Sequence, residues 1–98
     1  MSLTIDQRAS IFAALADPTR LKIVEVLAQE EEMSGAALAR RAGISLALLS
    51  HHWKILQACG VIQRERRGQA QFCSLDRKAL EEAFMCVWPA RRLQSHLN

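Results

Sequence analysis

The sequence predicts a mainly α-helical chain with about five helices and one small β-hairpin. Three observations carry that expectation. Apolar residues recur at three- and four-residue spacing in several segments. Capping residues precede most of these segments: Asp17, Ser34, Ser45 and Asp76. After Gly60 the period changes, and two short strand-like runs flank a glycine-containing turn.

Residues 4–15 read as the first helix, with Ile11, Phe12 and Leu15 on one stripe. It stops before Asp17-Pro18. Asp17 suits an N-cap, and Pro18 suits the first helical position, where its missing N–H costs nothing. A second helix follows, with Leu21, Val24, Leu27 and Ala28 at helical spacing. Glu30, Glu31 and Glu32 end it in an acidic, solvated segment.

Ser34 caps a short third helix through Ala42, anchored by Leu38 and kept slim by Ala36, Ala37 and Ala39. Gly43 fits the left-handed residue after a helix end, and Ile44 packs back on the turn. Ser45 caps a fourth helix that runs to about Cys59, where Gly60 stops it. Two helices joined by a short glycine turn over residues 34–59 form a helix-turn-helix layout.

The fourth helix divides by face. Leu49, Trp53 and Leu56 form an apolar stripe, with His52 and Ile55 beside it. Leu46, Ala47, Ser50, His51 and Lys54 lie opposite. The DNA major groove admits one α-helix, and small side chains let its backbone come close. The runs Val61–Arg66 and Ala70–Leu75 read as the hairpin, with Arg67-Gly68-Gln69 as its turn. Arg64, Arg66 and Arg67 gather at the tip, suited to phosphates or a minor groove. Such a ribbon is marginal alone and must lean on the helices. Asp76 caps a last helix with Leu80, Phe84, Val87 and Trp88 on one stripe. Pro89 ends or kinks it, and the tail from Pro89 to Asn98 has no assigned conformation.

Composition sets the class. The chain has 98 residues, half of them hydrophobic, a net charge of +3 and a pI near 9.1. That is one globular domain, residues 1–98, small enough to gain from burying surface against a second copy. The charge is uneven. Residues 1–33 carry −3: Arg8, Arg20 and Lys22 against Asp6, Asp17, Glu25, Glu30, Glu31 and Glu32. Residues 34–78 carry +6: Arg40, Arg41, Lys54, Arg64, Arg66, Arg67, Arg77 and Lys78 against Glu65 and Asp76. The last twenty residues balance, with Glu81 and Glu82 against Arg91 and Arg92. The middle segment is a footprint for a polyanion, or a solvated basic face. Arg40 and Arg41 either flank phosphates near the turn or are simply surface. No apolar run approaches the ~18–20 residues of a membrane span, and no signal peptide is visible, so the expected compartment is the cytoplasm, with no membrane partner.

Several motifs together resemble the ArsR/SmtB-type winged-helix repressors. Ala14-Leu15-Ala16-Asp17-Pro18-Thr19-Arg20-Leu21-Lys22-Ile23 is similar to that family's Leu-x-Asp-Pro-Thr-Arg-Leu-x-Ile opening. Leu38-Ala39, Ile44-Ser45 and Leu49-Ser50-His51-His52-Trp53-Lys54-Ile55-Leu56 resemble its helix-turn-helix. Gly60-Val61-Ile62, Arg66-Arg67-Gly68-Gln69 and Phe72-Cys73-Ser74-Leu75 resemble its wing. The likeness covers residues 12–76. It implies a homodimeric bacterial transcription regulator, in most members a repressor relieved by an inducer. The helices at 4–15 and 77–88 would dimerise, helix 45–59 would enter the major groove, and wing 61–75 would flank it. Each subunit would read one half of an inverted-repeat, double-stranded operator, the two helices about 34 Å apart.

The DNA-binding set is thus Ser45, Leu46, Ala47, Ser50, His51, Lys54, Arg64, Arg66, Arg67 and Gln69. Two departures from the family pattern stand out. Leu46 and Ala47 replace the usual polar residues; they can touch a thymine methyl but cannot hydrogen-bond a base, which shifts readout to Ser50, His51 and Gln69. The family's metal sites have no counterpart. Residues 34–39 contain no Cys, His, Asp or Glu, and Leu80–Trp88 offers only Glu81, Glu82 and Cys86. No metal site or cofactor is therefore expected. Adjacent His51 and His52 point about 100° apart and cannot chelate one metal together.

Three cysteines make no disulfide framework. Cys59, Cys73 and Cys86 are either small buried hydrophobes or a thiol switch, answering to oxidation or persulfidation. Arg77, Arg91 or Arg92 could lower a nearby thiol pKa. A soft-metal site using Cys86 or His96 needs more converging ligands than the sequence places together. No catalytic signature is present, so an enzyme is not expected. The competing class is a winged-helix module that binds another protein, suggested by the apolar Leu46 and Ala47.

Overall fold

The computed structural model describes residues 2–89. Five helices and three short strands follow the order α1 (Ile5–Leu15), α2 (Pro18–Ala28), β1 (Met33–Ser34), α3 (Gly35–Ala42), α4 (Leu46–Ala58), β2 (Ile62–Arg67), β3 (Ala70–Leu75) and α5 (Arg77–Val87). This is a winged helix-turn-helix: α3 and α4 form the helix pair, and β2–β3 form the wing.

The caps explain the helix starts. Thr4 caps α1 and forms a capping box with Gln7. The side chains of Asp17, Ser34, Ser45 and Asp76 each accept from a backbone N–H three residues on, at 3.0–3.2 Å. Gly43 closes α3 at φ +73°, a left-handed conformation that disfavours side chains, and its turn returns Ile44 N–H to the Ala39 carbonyl at 3.0 Å.

The sheet corrects the expectation of a lone hairpin. Met33 and Ser34 form a third strand, giving the antiparallel order β1-β3-β2. Met33 pairs with Cys73 and Ser34 with Phe72. The pairing is nonlocal, so two residues become a strand only because β3 lies beside them. The wing turn is also tighter than expected. Arg67 belongs to β2 and pairs with Ala70, leaving Gly68 and Gln69 as the turn.

One core joins all the elements. Ile11, Ile23, Leu27, Leu38, Leu56 and Val61 are fully buried at its centre. In α2 the buried residues are Ile23, Val24 and Leu27, whereas the expected stripe members Leu21 and Ala28 are exposed. Phe12 of α1 meets Phe84 of α5 edge to face, with centroids 5.5 Å apart. The Leu3 amide also donates to the Glu82 carboxylate. Arg77 donates to the Ala28 and Glu30 carbonyls at 3.3 and 2.9 Å, satisfying the C-terminal end of α2. Arg91, Arg92 and His96 lie outside the described residues.

Candidate nucleic-acid interface

The surface begins with α4, whose two faces have opposite environments. Leu49, His52, Trp53 and Leu56 are buried. Leu46, Ala47, Ser50, His51 and Lys54 are exposed on the other side, as is Leu48. The buried stripe locks the helix to the core and fixes which side chains face outward. Ser45 is partly committed, because its hydroxyl accepts from Leu48 N–H at 3.1 Å.

The helix is also held by a polar tether. Arg20 donates through Nε to the Ala14 carbonyl at 2.8 Å and through Nη1 to His52 Nδ1 at 3.4 Å. This contact sets the Arg20 guanidinium beside a ring nitrogen of the buried His52. Asp17 lies 4.0 Å from the same nitrogen, while the backbone N–H of Arg20 holds the Asp17 carboxyl below its usual range. The Asp17-Pro18-Thr19-Arg20 element thus joins the end of α1 and the start of α2 to α4. Its tethering role in this chain is a finding that sequence spacing did not reveal.

The wing stands across a groove from the N-terminal half of α4. The groove holds about 380 Å³ and is lined by Leu46, Ser50, Trp53, Arg64, Gln69 and Cys73 among others. Arg64 lies over the Trp53 ring, 5.9 Å from its centroid. Arg66 is exposed near the tip, and its Nε donates to the Gly68 carbonyl at 3.2 Å. Ser50, Arg64 and Gln69 therefore converge on one concavity, with Leu46 at its edge.

Arg67 is placed differently. It forms a bidentate pair with Glu32 at 2.6 and 2.8 Å, and its Nε donates to Glu65 at 2.8 Å. Its guanidinium lies 4.7 Å from the Phe72 ring centroid. The side chain therefore straps β2 across β3 to the residue before β1. These bonds hold both carboxyls below their usual range and raise the Arg67 pKa. Arg41 is similarly engaged, with Glu30 and Gln29 at 3.1 Å, whereas Arg40 is exposed.

The cysteines do not form one cluster of equals. Cys73 is buried in β3, and burial pushes its thiol up to about 11. Cys59 is half-buried at the end of α4, donates to the Leu56 carbonyl at 3.3 Å, and is also raised by burial. Cys86 is exposed on α5. Among the described residues, no three His, Cys, Asp or Glu side chains gather as a metal-binding group. No helix there is long and apolar enough to cross a membrane.

Comparison with known proteins gives a consistent picture. A helix-turn-helix domain family matches residues 8–65. The transcriptional repressor SdpR of Bacillus subtilis is 35% identical over 74 residues, covering 76% of this chain and 81% of the relative. The cadmium resistance transcriptional regulatory protein CadC homolog of Staphylococcus aureus is 35% identical over 81 residues, covering 79% of this chain and 67% of the relative. Among solved structures, a homodimeric winged helix-turn-helix DNA-binding domain from Mycobacterium bovis, from a possible ArsR-family regulator, superposes with a TM-score of 0.71. It is 29% identical and covers 96% of this chain and 88% of that one.

Proposed function

Because the chain belongs to the ArsR/SmtB-type winged-helix transcriptional regulators, we propose that it is a homodimeric repressor working in the cytoplasm. In this reading α4 enters the major groove of one operator half-site, and the wing flanks it. The observation that carries it is the groove between α4 and the wing, where Leu46, Ser50, Arg64 and Gln69 converge, with His51, Lys54 and Arg66 exposed outside it. Ser50 and His51 face the bases. Lys54, Arg64 and Arg66 supply phosphate contacts, while Ser45, Leu46, Ala47 and Gln69 complete the surface. Arg67 serves the same face by holding the wing in place.

A second copy fits the apolar side of α5, where Phe84, Met85, Val87 and Trp88 are exposed. A two-fold dimer through α1 and α5 gives two α4 helices and hence an inverted-repeat operator. The sequence and the fold do not name the releasing signal; oxidation or persulfidation of a thiol is one route this reading allows. On that route Cys86 is the first candidate, because it is exposed whereas Cys73 is buried and Cys59 is half-buried.

A mobility-shift titration on the promoter of the protein's own operon tests the DNA reading. The expected affinity falls steeply with salt, by about 0.9 log unit per phosphate contact per log unit of salt. Absence of any salt-sensitive promoter preference overturns it. The thiol signal has a separate test: peroxide or polysulfide releases DNA reversibly in the wild type. An equal response from the Cys86→Ser variant removes Cys86 from the mechanism.

A further inference from the structure

Helices of this kind read bases mainly with their N-terminal residues. In α4 those residues are Leu46, Ala47, Leu48 and Leu49, and only Leu49 is buried. Leu46 is 59% exposed and Leu48 is 41% exposed. No side chain in this first turn can hydrogen-bond a base edge. The base-facing donors begin one turn later, at Ser50 and His51.

Leu46 lines a groove whose other walls include the apolar Leu49 and Trp53 and whose one charged residue is Arg64, yet it stays largely exposed. Its surroundings identify the partner that would cover it. Leu46 borders the groove that contains Ser50, Arg64 and Gln69, and Lys54 is exposed two turns further along the helix. Among the described residues, Lys54, Arg64 and Arg66 have no ion-pair partner. Two copies meeting through this face would bring those cations together without counter-charge. A polyanion resolves that repulsion. On the floor of its major groove, the apolar group displayed is the C5-methyl of thymine.

Resting on the DNA reading above, we propose that Leu46 recognises a thymine methyl group, so that each operator half-site carries an A·T pair opposite it. Leu46 is a specificity residue that selects by burial rather than by hydrogen bonding. Ala47, beside it, leaves room for the base edge to approach. The discriminating feature is one methyl group, whose burial is worth about fourfold in affinity.

The test uses duplexes selected by the wild-type protein from a random pool. Each thymine is replaced singly by deoxyuridine, which removes only that methyl. The expected result is one position per half-site where replacement weakens wild-type binding about three- to fivefold. Leu46→Ala still binds, with an unchanged salt slope, but loses the sensitivity at that position. Light scattering on both proteins gives the same oligomeric state. The inference is overturned if selected duplexes bind but no position responds to methyl removal. It is also overturned if Leu46→Ala retains the sensitivity, or if the variant changes oligomeric state instead. Recovery of no preferred duplex overturns the DNA reading itself, which distinguishes the two failures.

Discussion

Arg67 and Glu32, 35 residues apart in sequence, meet through two parallel hydrogen bonds at 2.6 and 2.8 Å. The pair spans the central strand of the sheet, and Glu65 takes the remaining guanidinium edge. A guanidinium already facing two carboxylates displaces no additional counterion when DNA arrives. Arg67→Gln is therefore expected to leave the salt slope of DNA binding unchanged while lowering affinity through a looser wing. Arg66→Gln lowers the slope by about 0.9. Binding isotherms at four or five salt concentrations decide this, and a slope loss in Arg67→Gln would make Arg67 a direct phosphate contact.

The Arg20 tether makes a stability prediction. Arg20→Ala removes a charged donor from the Ala14 carbonyl and leaves buried His52 without that partner. The expected cost is about 1–3 kcal/mol, read as a lower urea midpoint at constant m-value. An unchanged midpoint means the tether does not stabilise the helix junction.

Base readers and phosphate contacts separate by sequence preference. Lys54→Ala is expected to weaken all duplexes by the same factor. Ser50→Ala and His51→Ala shift the preference among duplexes by about 1–3 kcal/mol at one position each. Competition between selected and scrambled duplexes measures both effects. A uniform loss in Ser50→Ala and His51→Ala would reassign these residues to the backbone.

Asp17 predicts an acid limb. Its carboxyl sits below 3.8 in the folded chain, first because the Arg20 N–H binds the charged form. Its stabilising contribution is complete above the unfolded value. It declines as pH falls below 3.8 through the lowered folded value. Asp17→Asn keeps a capping side chain and should flatten the acid limb of the stability profile below the ordinary aspartate range. An Asn variant that retains the same acid limb assigns the effect to other carboxylates.

Cys73 predicts a silent thiol. Burial pushes its pKa up to about 11, so the reactive thiolate is scarce there near neutral pH. Alkylation followed by mass spectrometry should find Cys73 unmodified in the folded protein and modified in denaturant. Rapid native labelling would show that β3 opens readily.

The parts of this structure legible in the sequence are those set by near neighbours. Asp17, Ser34, Ser45 and Asp76 each cap a helix by reaching three residues ahead. The spacing of Leu49, Trp53 and Leu56 likewise identifies the buried side of α4. Long-range partners were not visible. Met33 and Ser34 are strand residues only because Phe72 and Cys73 lie alongside. Arg67 reads as a phosphate contact in the sequence, and only the fold brings Glu32 to it. In α2, Leu21, Ile23, Val24, Val26 and Leu27 offer more than one apolar stripe. Packing selected the one with Ile23 inside and Leu21 outside.

Ser34 belongs to two structures at once: it pairs with Phe72 in the sheet, and its hydroxyl accepts from Ala37 N–H at the start of α3. No linker separates the sheet from the helix-turn-helix, so the wing has no hinge there. A wing swinging outward alone would break the pairing of Met33 with Cys73 and of Ser34 with Phe72. In the dimer proposed above, a motion that keeps each subunit rigid and changes the distance between the two α4 helices leaves that pairing whole, so release would be a matter of spacing between subunits.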